Sequence, residues 1–197
     1  MAQHCLLTPA DYRRMPWRNG GGRTTEIASY PPGAALDAFD WRISIADVVK
    51  DGPFSRFAGI DRTIVLIAGA GMRLDGDGHS VLLTGLYEPY AFRGDDAVDC
   101  TLVDGPVRVF NLMLRRNRGC GTVTVMRREG ARVPPARFRL CYAATGACEC
   151  LLPVHAPLAV NADHTLFITD DDAVAQFAVN PLTADAVALV TAIDLAR

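Results

Sequence analysis

DWRISIADVVKDGPFSRFAGIDR, residues 40–62, is the stretch of sequence that decides the fold. Its first part alternates between large apolar residues and polar or small ones, which is the period of a β-strand with two different faces. The apolar face comprises Trp41, Ile43 and Ile45. The opposite face carries Arg42 and Ser44, and a charged residue beside a small one on an otherwise apolar strand indicates the lining of a pocket.

Outside this stretch the pattern remains one of short strands separated by turns. Gly52 and Pro53 indicate a turn, because proline fixes φ and glycine tolerates positive φ. A β-branched apolar run follows at 63–68, and a longer alternating strand is predicted at 107–114. No long helical period competes, so the spacing predicts an all-β sandwich or barrel. The segment 184–195 is ambiguous between a helix and a final strand.

Two flanking segments add a family resemblance. They are MPWRNGGG at 15–22 and FNLMLRR at 110–116, and together with the central stretch they resemble the HutD/Ves family over roughly residues 12–116. The resemblance implies an all-β, cupin-like (RmlC-like jelly roll) double barrel, a bicupin. It also implies a link to histidine utilisation, because some members of the family are encoded among those genes.

The two halves are expected to meet near residue 116. The N-terminal cupin-like half, 1–116, carries the family motifs, and the C-terminal cupin-like half, 117–197, is expected to be tightly fused to it in one globular unit. A weak internal repeat agrees with this division, since residues 65–71 align with 140–146 and residues 90–95 with 166–171.

Composition and charge exclude several classes of function. The chain has 197 residues, a formal net charge of −2, and Lys50 as its one lysine. A nucleic-acid surface needs a basic stripe, which the sequence lacks, so we expect no direct nucleic-acid binding. The N-terminal residues do not resemble a secretory signal, and no apolar run is long enough to span a membrane. We therefore expect a cytoplasmic protein without membrane partners, and a homodimer is one expected state because cupin-like sheets often pair between subunits.

Histidine and cysteine spacing predicts neither a metal nor another cofactor. Many cupins hold a metal through a His-x-His pair, and none of His4, His79, His155 and His164 has that spacing. Cys148 and Cys150 lie on one strand face, with Cys141 nearby in sequence, but zinc or redox chemistry would need further ligands that converge in space. Cysteine is commonly buried as a small apolar residue, and we interpret these three as core.

Arginines on predicted strands indicate the binding site. An arginine that points into a barrel must be paired with a carboxylate or a ligand, because burying it alone is costly. The alternative is a structural network of ion pairs with neighbouring acidic residues, or simple exposure. The glycine loop could hold an anion on its backbone N–H groups or be only a turn packed against a tryptophan. The predicted ligand-binding residues are Trp17, Arg18, Asn19, Gly20, Gly21, Gly22, Glu26, Arg42, Ser44, Arg62, Phe92, Asn111, Met113 and Arg115.

These residues support a leading functional hypothesis and two alternatives. The first is a metal-free protein that binds a small anionic carboxylate metabolite and modulates histidine utilisation, with urocanate and N-formylglutamate as ligands suggested by family context. The second is a metal-independent enzyme, an isomerase, epimerase or hydrolase on a small acid, for which Glu26 is an acid–base candidate. The third is a stress-linked protein-interaction module. No nucleophile–base pair is apparent, so we assign no catalytic residue and favour a protein that is not an enzyme.

Overall fold

The computed structural model describes residues 3–17, 19–76, 78–153, 155–170 and 176–196. Across these ranges all regular secondary structure is β-strand, and all strand pairs are antiparallel. No helix among them is long and apolar enough to cross a membrane. The expectation of an all-β protein is confirmed, and the ambiguous segment near the C-terminus is a strand.

The chain folds into two compact units. Residues Tyr12–Arg118 form one, here called the central unit, and Met1–Asp11 together with Gly119–Arg197 form the other, the terminal unit. We predicted a division at 116/117, whereas the structure divides the chain after Arg118. The first eleven residues also differ from the prediction, because the first strand pairs with a strand near the C-terminus and so belongs to the terminal unit.

The central unit contains two sheets. Its strands are β2 (Arg13–Pro16), β3 (Gly22–Tyr30), β4 (Trp41–Val48), β5 (Gly52–Pro53), β6 (Ile60–Ala68), β7 (Met72–Gly76), β8 (His79–Leu83), β9 (Pro89–Arg93), β10 (Asp99–Leu102) and β11 (Val107–Arg115). The six-stranded sheet has the order β2-β3-β4-β11-β6-β9, and the four-stranded sheet the order β5-β10-β7-β8.

The terminal unit also contains two sheets. Its strands are β1 (Gln3–Leu7), β12 (Gly119–Met126), β13 (Ala131–Val133), β14 (Phe138–Thr145), β15 (Cys148–Leu151), β16 (Leu158–Val160), β17 (Thr165–Thr169), β18 (Phe177–Pro181) and β19 (Val187–Leu195). The five-stranded sheet has the order β1-β17-β14-β19-β12, and the four-stranded sheet the order β13-β18-β15-β16.

The two units repeat one strand order. If β4 to β11 are matched in sequence with β12 to β19, the order β4-β11-β6-β9 becomes β12-β19-β14-β17, and β5-β10-β7-β8 becomes β13-β18-β15-β16. The segments that echo one another in sequence lie on matched strands, since 65–71 and 140–146 include parts of β6 and β14, and 90–95 and 166–171 parts of β9 and β17. The weak sequence repeat therefore coincides with a repeat of topology.

Strand β4 has the two faces that its alternation predicts. Trp41, Ile43 and Ile45 are fully buried on one face, as expected for large apolar side chains at the centre of a sheet. The opposite face carries Arg42 and Ser44, which are also buried. Burial of these polar side chains demands hydrogen-bond or ion-pair partners for them.

Candidate functional site

The central unit encloses a cavity of about 530 Å³. Strands β4, β6 and β11 supply its buried arginines, serine and asparagine, and the segments before β3 and after β5 add several apolar side chains. The lining residues are Met15, Pro16, Trp17, Asn19, Thr24, Leu36, Arg42, Ser44, Ala46, Val48, Pro53, Phe54, Ser55, Phe57, Arg62, Ile64, Val109, Asn111 and Met113. A volume of this size lies in the range typical of small-molecule sites, roughly 300 to 1,000 Å³.

Strand register brings the polar lining residues into two rows. Met113 on β11 pairs with Arg42 on one side and with Arg62 on the other, so both arginines flank one methionine. Two residues earlier on β11, Asn111 pairs with Ser44 on β4. Because side chains two apart on a strand share a face, both rows face the cavity.

Arg42 has a carboxylate partner. Its Nε donates to Glu26 Oε2 on the neighbouring strand β3 at 2.5 Å, and both side chains are buried. Its Nη1 lies 3.8 Å from the Met113 sulfur. Glu26 thus neutralises the guanidinium and holds it in one orientation. Glu26 itself lies opposite Ser44, immediately before a β-bulge in β3.

Arg62 is the exception among the buried charges of this unit. It is 8% exposed, and among the described residues no carboxylate lies within ion-pair distance of it. Its guanidinium carbon instead lies 4.8 Å from the ring centroid of Phe92, 5.4 Å from that of Phe54 and 5.8 Å from that of Phe57. Burial and the nearby charge of Arg42 lower the pKa of Arg62 to about 10, so it remains a cation at neutral pH.

Three buried polar atoms of the cavity residues lack partners. They are Ser44 Oγ, Asn111 Oδ1 and Arg62 Nε, none of which makes a hydrogen bond within the described chain. Leaving such a group unsatisfied costs about 1 to 3 kcal/mol, so native proteins satisfy it with a ligand or ordered water. The side chains of Ser44, Asn111 and Arg62 are therefore placed to bind a ligand or ordered water in the cavity.

The glycine loop shapes the cavity wall. Gly20 N–H donates to the Trp17 carbonyl at 3.1 Å, and Gly21 N–H donates to Asn19 Oδ1 at 2.9 Å. Because these amides are used inside the loop, they do not form the anion cradle that we considered from sequence. Trp17 and Asn19 reach the cavity lining, and the Trp17 indole N–H is fixed by a 2.8 Å hydrogen bond to Thr24 Oγ1.

Gly22 is the position in this loop that cannot accept a side chain. A Cβ atom there would lie 2.1 Å from the Asp47 carbonyl oxygen and 3.2 Å from the Trp17 ring. We expect Gly22→Ala to lower the free energy of unfolding by about 1 to 3 kcal/mol, because the clash is with backbone. The measurement is urea unfolding. Gly21→Ala is the matched control, since its Cβ would meet only the Asn19 side chain, at 3.2 Å. Equal effects of the two substitutions would contradict this interpretation.

The structure brings half of the predicted site residues into the cavity lining. These are Trp17, Asn19, Arg42, Ser44, Arg62, Asn111 and Met113. Glu26 and Phe92 lie behind the lining, where they contact Arg42 and Arg62 respectively. Arg18 lies outside the described residues.

Arg115 has a different place from the one predicted. It belongs to the same strand as Asn111 and Met113, but its Nε donates to the Phe39 carbonyl at 3.0 Å and its Nη2 to the Asp37 carbonyl at 2.7 Å. Arg115 is not among the lining residues. It holds the segment before β4 instead, because the end of β11 lies beside that segment.

Sequence reasoning missed the lining residues of two other loops, the one between β3 and β4 and the one between β5 and β6. Phe54 and Phe57 stack on Arg62, and Leu36, which is 52% exposed, lines the cavity. Loop residues follow no period, so no alternation pointed to them. The one available signal was the pair of phenylalanines immediately after the predicted turn at Gly52 and Pro53.

The terminal unit contains a separate group of potential metal ligands. The sulfur atoms of Cys141, Cys148 and Cys150 lie within 4.8 Å of one another, and all three side chains are buried. From sequence we interpreted these cysteines as core, and they do lie in an apolar cluster. The sequence could not show that a residue on β14 meets two on β15.

Comparison with solved structures defines the class of protein. The chain shares its fold with cupin-fold proteins such as oxalate decarboxylase from Lactobacillus farciminis, with a TM-score of 0.66 over 95% of this chain and 85% of that one at 8% identity. It is therefore an all-β, cupin-like protein, with an arginine-lined cavity in its central unit. The chain belongs to the HutD family, whose model matches residues 9–186.

Relatives agree with this assignment. The chain is 46% identical over 118 residues to an uncharacterised 21.2 kDa protein in the hutC 3′ region of Pseudomonas putida, covering 60% of this chain and 62% of that protein. It is 40% identical over 112 residues to protein Ves of Citrobacter koseri, covering 55% and 58%. The aligned part thus spans about three fifths of the length of these curated relatives.

Two solved structures match almost the whole chain. One is a conserved protein of unknown function from Pseudomonas aeruginosa PAO1, with a TM-score of 0.86 and 33% identity over 98% of this chain and 99% of that one. The other is HutD from Pseudomonas fluorescens SBW25, with a TM-score of 0.83 and 32% identity over 99% and 100%.

Proposed function

We propose that the cavity of the central unit binds a small anionic metabolite through a carboxylate group. The observation that carries this proposal is Arg62, a buried cation without a carboxylate partner beside the unsatisfied Ser44 Oγ and Asn111 Oδ1. Arg42 and Glu26 neutralise one another, so the two rows carry one net positive charge, that of Arg62. A bound carboxylate would neutralise it and accept the hydrogen bonds that the guanidinium offers.

The unsatisfied atoms also restrict what else the ligand carries. Ser44 can donate to a ligand oxygen, whereas Asn111 Oδ1 needs an N–H or O–H donor. Trp17, Met113 and Ile64 present apolar surface for the remainder of the molecule. Urocanate and N-formylglutamate both combine a carboxylate with an N–H group. They are our candidates from family context, since one relative lies in a hutC region and another is HutD.

The repeated strand order favours a double jelly roll. Eight strands arranged as two four-stranded antiparallel sheets, in the order seen here, are typical of the jelly roll of cupins. We infer a bicupin whose central repeat contains the polar cavity. The matched strand β14 of the terminal unit also carries a buried arginine, Arg139, but that residue is ion-paired with Asp170 at 3.4 Å. The interior around it is an apolar cluster.

A regulatory role in histidine utilisation follows as part of the same proposal. The sequence offers no basic stripe for nucleic acid, so the effect would be indirect, through sequestration of the metabolite or contact with another protein. An enzymatic role for Glu26 stays a prediction. Its carboxylate accepts from Arg42, an arrangement that favours orienting that arginine over proton transfer to a ligand.

Thermal unfolding of metal-stripped protein tests the proposal. The panel contains urocanate, N-formylglutamate, other pathway acids and unrelated carboxylates, because a ligand that binds only the native state raises the melting temperature. We expect a selective rise that is lost in Arg42→Ala, which removes one lining guanidinium and releases Glu26. Folded protein that shows no shift with any carboxylate would contradict the proposal.

A further inference from the structure

Three thiols of the terminal unit converge from two different sheets. Cys141 lies on β14 in the five-stranded sheet, and Cys148 and Cys150 lie on β15 in the four-stranded sheet. Their sulfur atoms are within 4.8 Å of one another, and their side chains are 0%, 2% and 0% exposed. Three of the six cysteines of the chain thus lie together at one buried point.

The spacing fits metal coordination better than a disulfide. A three-coordinate ion with metal–sulfur bonds of about 2.3 Å places its sulfur atoms about 4.0 Å apart, a small contraction from the present arrangement. Cys148 and Cys150 are two residues apart on one strand, about 6.6 Å between Cα atoms, at the upper end of the disulfide range. Cys141 is on the other sheet, and packed sheets lie about 10 Å apart, beyond that range.

The donor atoms indicate a soft ion. Besides the three thiols, Met126 belongs to the same buried cluster and offers a thioether sulfur. Met126 and Cys148 line the same small surface depression, so the thioether lies on the side of the cluster that carries Cys148. Thiolate and thioether ligands favour soft ions such as Cu(I) and zinc, and a set of three thiols suits Cu(I) better than zinc, whose structural sites have four ligands.

Metal binding requires thiolates, so an ion that enters the cluster must displace the thiol protons. A thiolate is the form that binds metal, and thiols release their protons when an ion takes the place of those protons.

We propose that Cys141, Cys148 and Cys150 form a binding site for one monovalent thiophilic ion, with Cu(I) as its representative. The site belongs to the terminal unit, and the proposal is independent of the carboxylate cavity of the central unit. A cluster that is only apolar core would bind no such ion.

The test is an anaerobic Cu(I) titration in competition with bicinchoninate. It uses the whole chain with the exposed Cys5 and Cys120 changed to serine, so that surface thiols do not contribute. We expect one Cu(I) bound per chain and loss of that binding in Cys148→Ala and in Cys150→Ala. The matched control is Cys100→Ala, since Cys100 is also 2% exposed and its sulfur lies 3.8 Å from Met72 sulfur, outside the cluster.

A second measurement does not depend on the folding of these variants. One equivalent of Cu(I) should raise the melting temperature of the chain that retains the cluster and produce an ultraviolet sulfur-to-copper charge-transfer band. The proposal is overturned if bicinchoninate keeps all the Cu(I). It is also overturned if Cys100→Ala loses the ion while Cys148→Ala, folded by circular dichroism, retains it.

Discussion

Arg62→Met is expected to stabilise the ligand-free protein and to abolish its stabilisation by carboxylates. Arg62 is a buried cation whose neighbours are three phenylalanine rings and no carboxylate among the described residues. Burying a charge without an ionic partner is costly, so an apolar side chain of similar volume should stabilise the ligand-free protein by roughly 1 to 4 kcal/mol, the range known for buried ion pairs replaced by apolar residues. The lost cation–π contacts, of the order of 1 kcal/mol, offset part of that gain. Urea unfolding with and without the best ligand measures both effects.

Arg139→Met is the matched control for this prediction. Arg139 is also a buried arginine that lies over a phenylalanine ring, Phe177, but it has Asp170 as an ion-pair partner. Removing it breaks this buried ion pair, so we expect a loss of about 3 to 5 kcal/mol. If Arg62→Met destabilised the ligand-free protein as strongly as Arg139→Met does, Arg62 would be a structural residue and the binding proposal would lose its main support.

Glu26→Gln is expected to have one of the largest effects on stability among substitutions around the cavity. Among the described residues its carboxylate is the one that neutralises Arg42, 2.5 Å away, and both side chains are buried. Without it, Arg42 and Arg62 would face each other across Met113 as two uncompensated cations. Breaking a buried pair by removing one partner costs about 3 to 5 kcal/mol, which urea unfolding would detect readily.

Two further variants show whether the charge is the cause. The double variant Glu26→Gln/Arg42→Met should recover most of the lost stability, because it removes the uncompensated cation as well. Asp75→Asn, which breaks the exposed pair of Asp75 with Arg73, should change stability by less than about 1 kcal/mol. A double variant no more stable than Glu26→Gln would show that the loss arises from packing and not from charge.

The polar rows of the cavity could be predicted from sequence because they follow a strand period. Arg42 and Ser44 alternate with large apolar residues on β4, and Asn111 and Met113 do so on β11. A period of two fixes which side chains share a face, and antiparallel pairing places those side chains beside their partners on the neighbouring strand. The same rule failed for Arg115, which continues the period but lies at the end of its strand, where backbone carbonyls are closer than the cavity.

Other parts of the site depend on contacts between segments that are distant in sequence. Phe54 and Phe57 lie in a loop, and nothing local indicates that both rings stack on Arg62. The pairing of β1 with β17 places the N-terminus in the terminal unit, although 157 or more residues separate the paired positions. The convergence of Cys141 with Cys148 and Cys150 likewise requires two sheets to pack together.

Isothermal titration calorimetry with a matched pair of ligands tests the central claim most directly. Urocanate and N-formylglutamate are each compared with their methyl esters, which keep the shape and remove the charge that Arg62 is proposed to neutralise. We predict that at least one acid binds with one site per chain, that its ester does not, and that Arg62→Met binds neither. Failure of both acids to bind, or equal binding of an acid and its ester, would contradict the proposal that this cavity recognises a carboxylate.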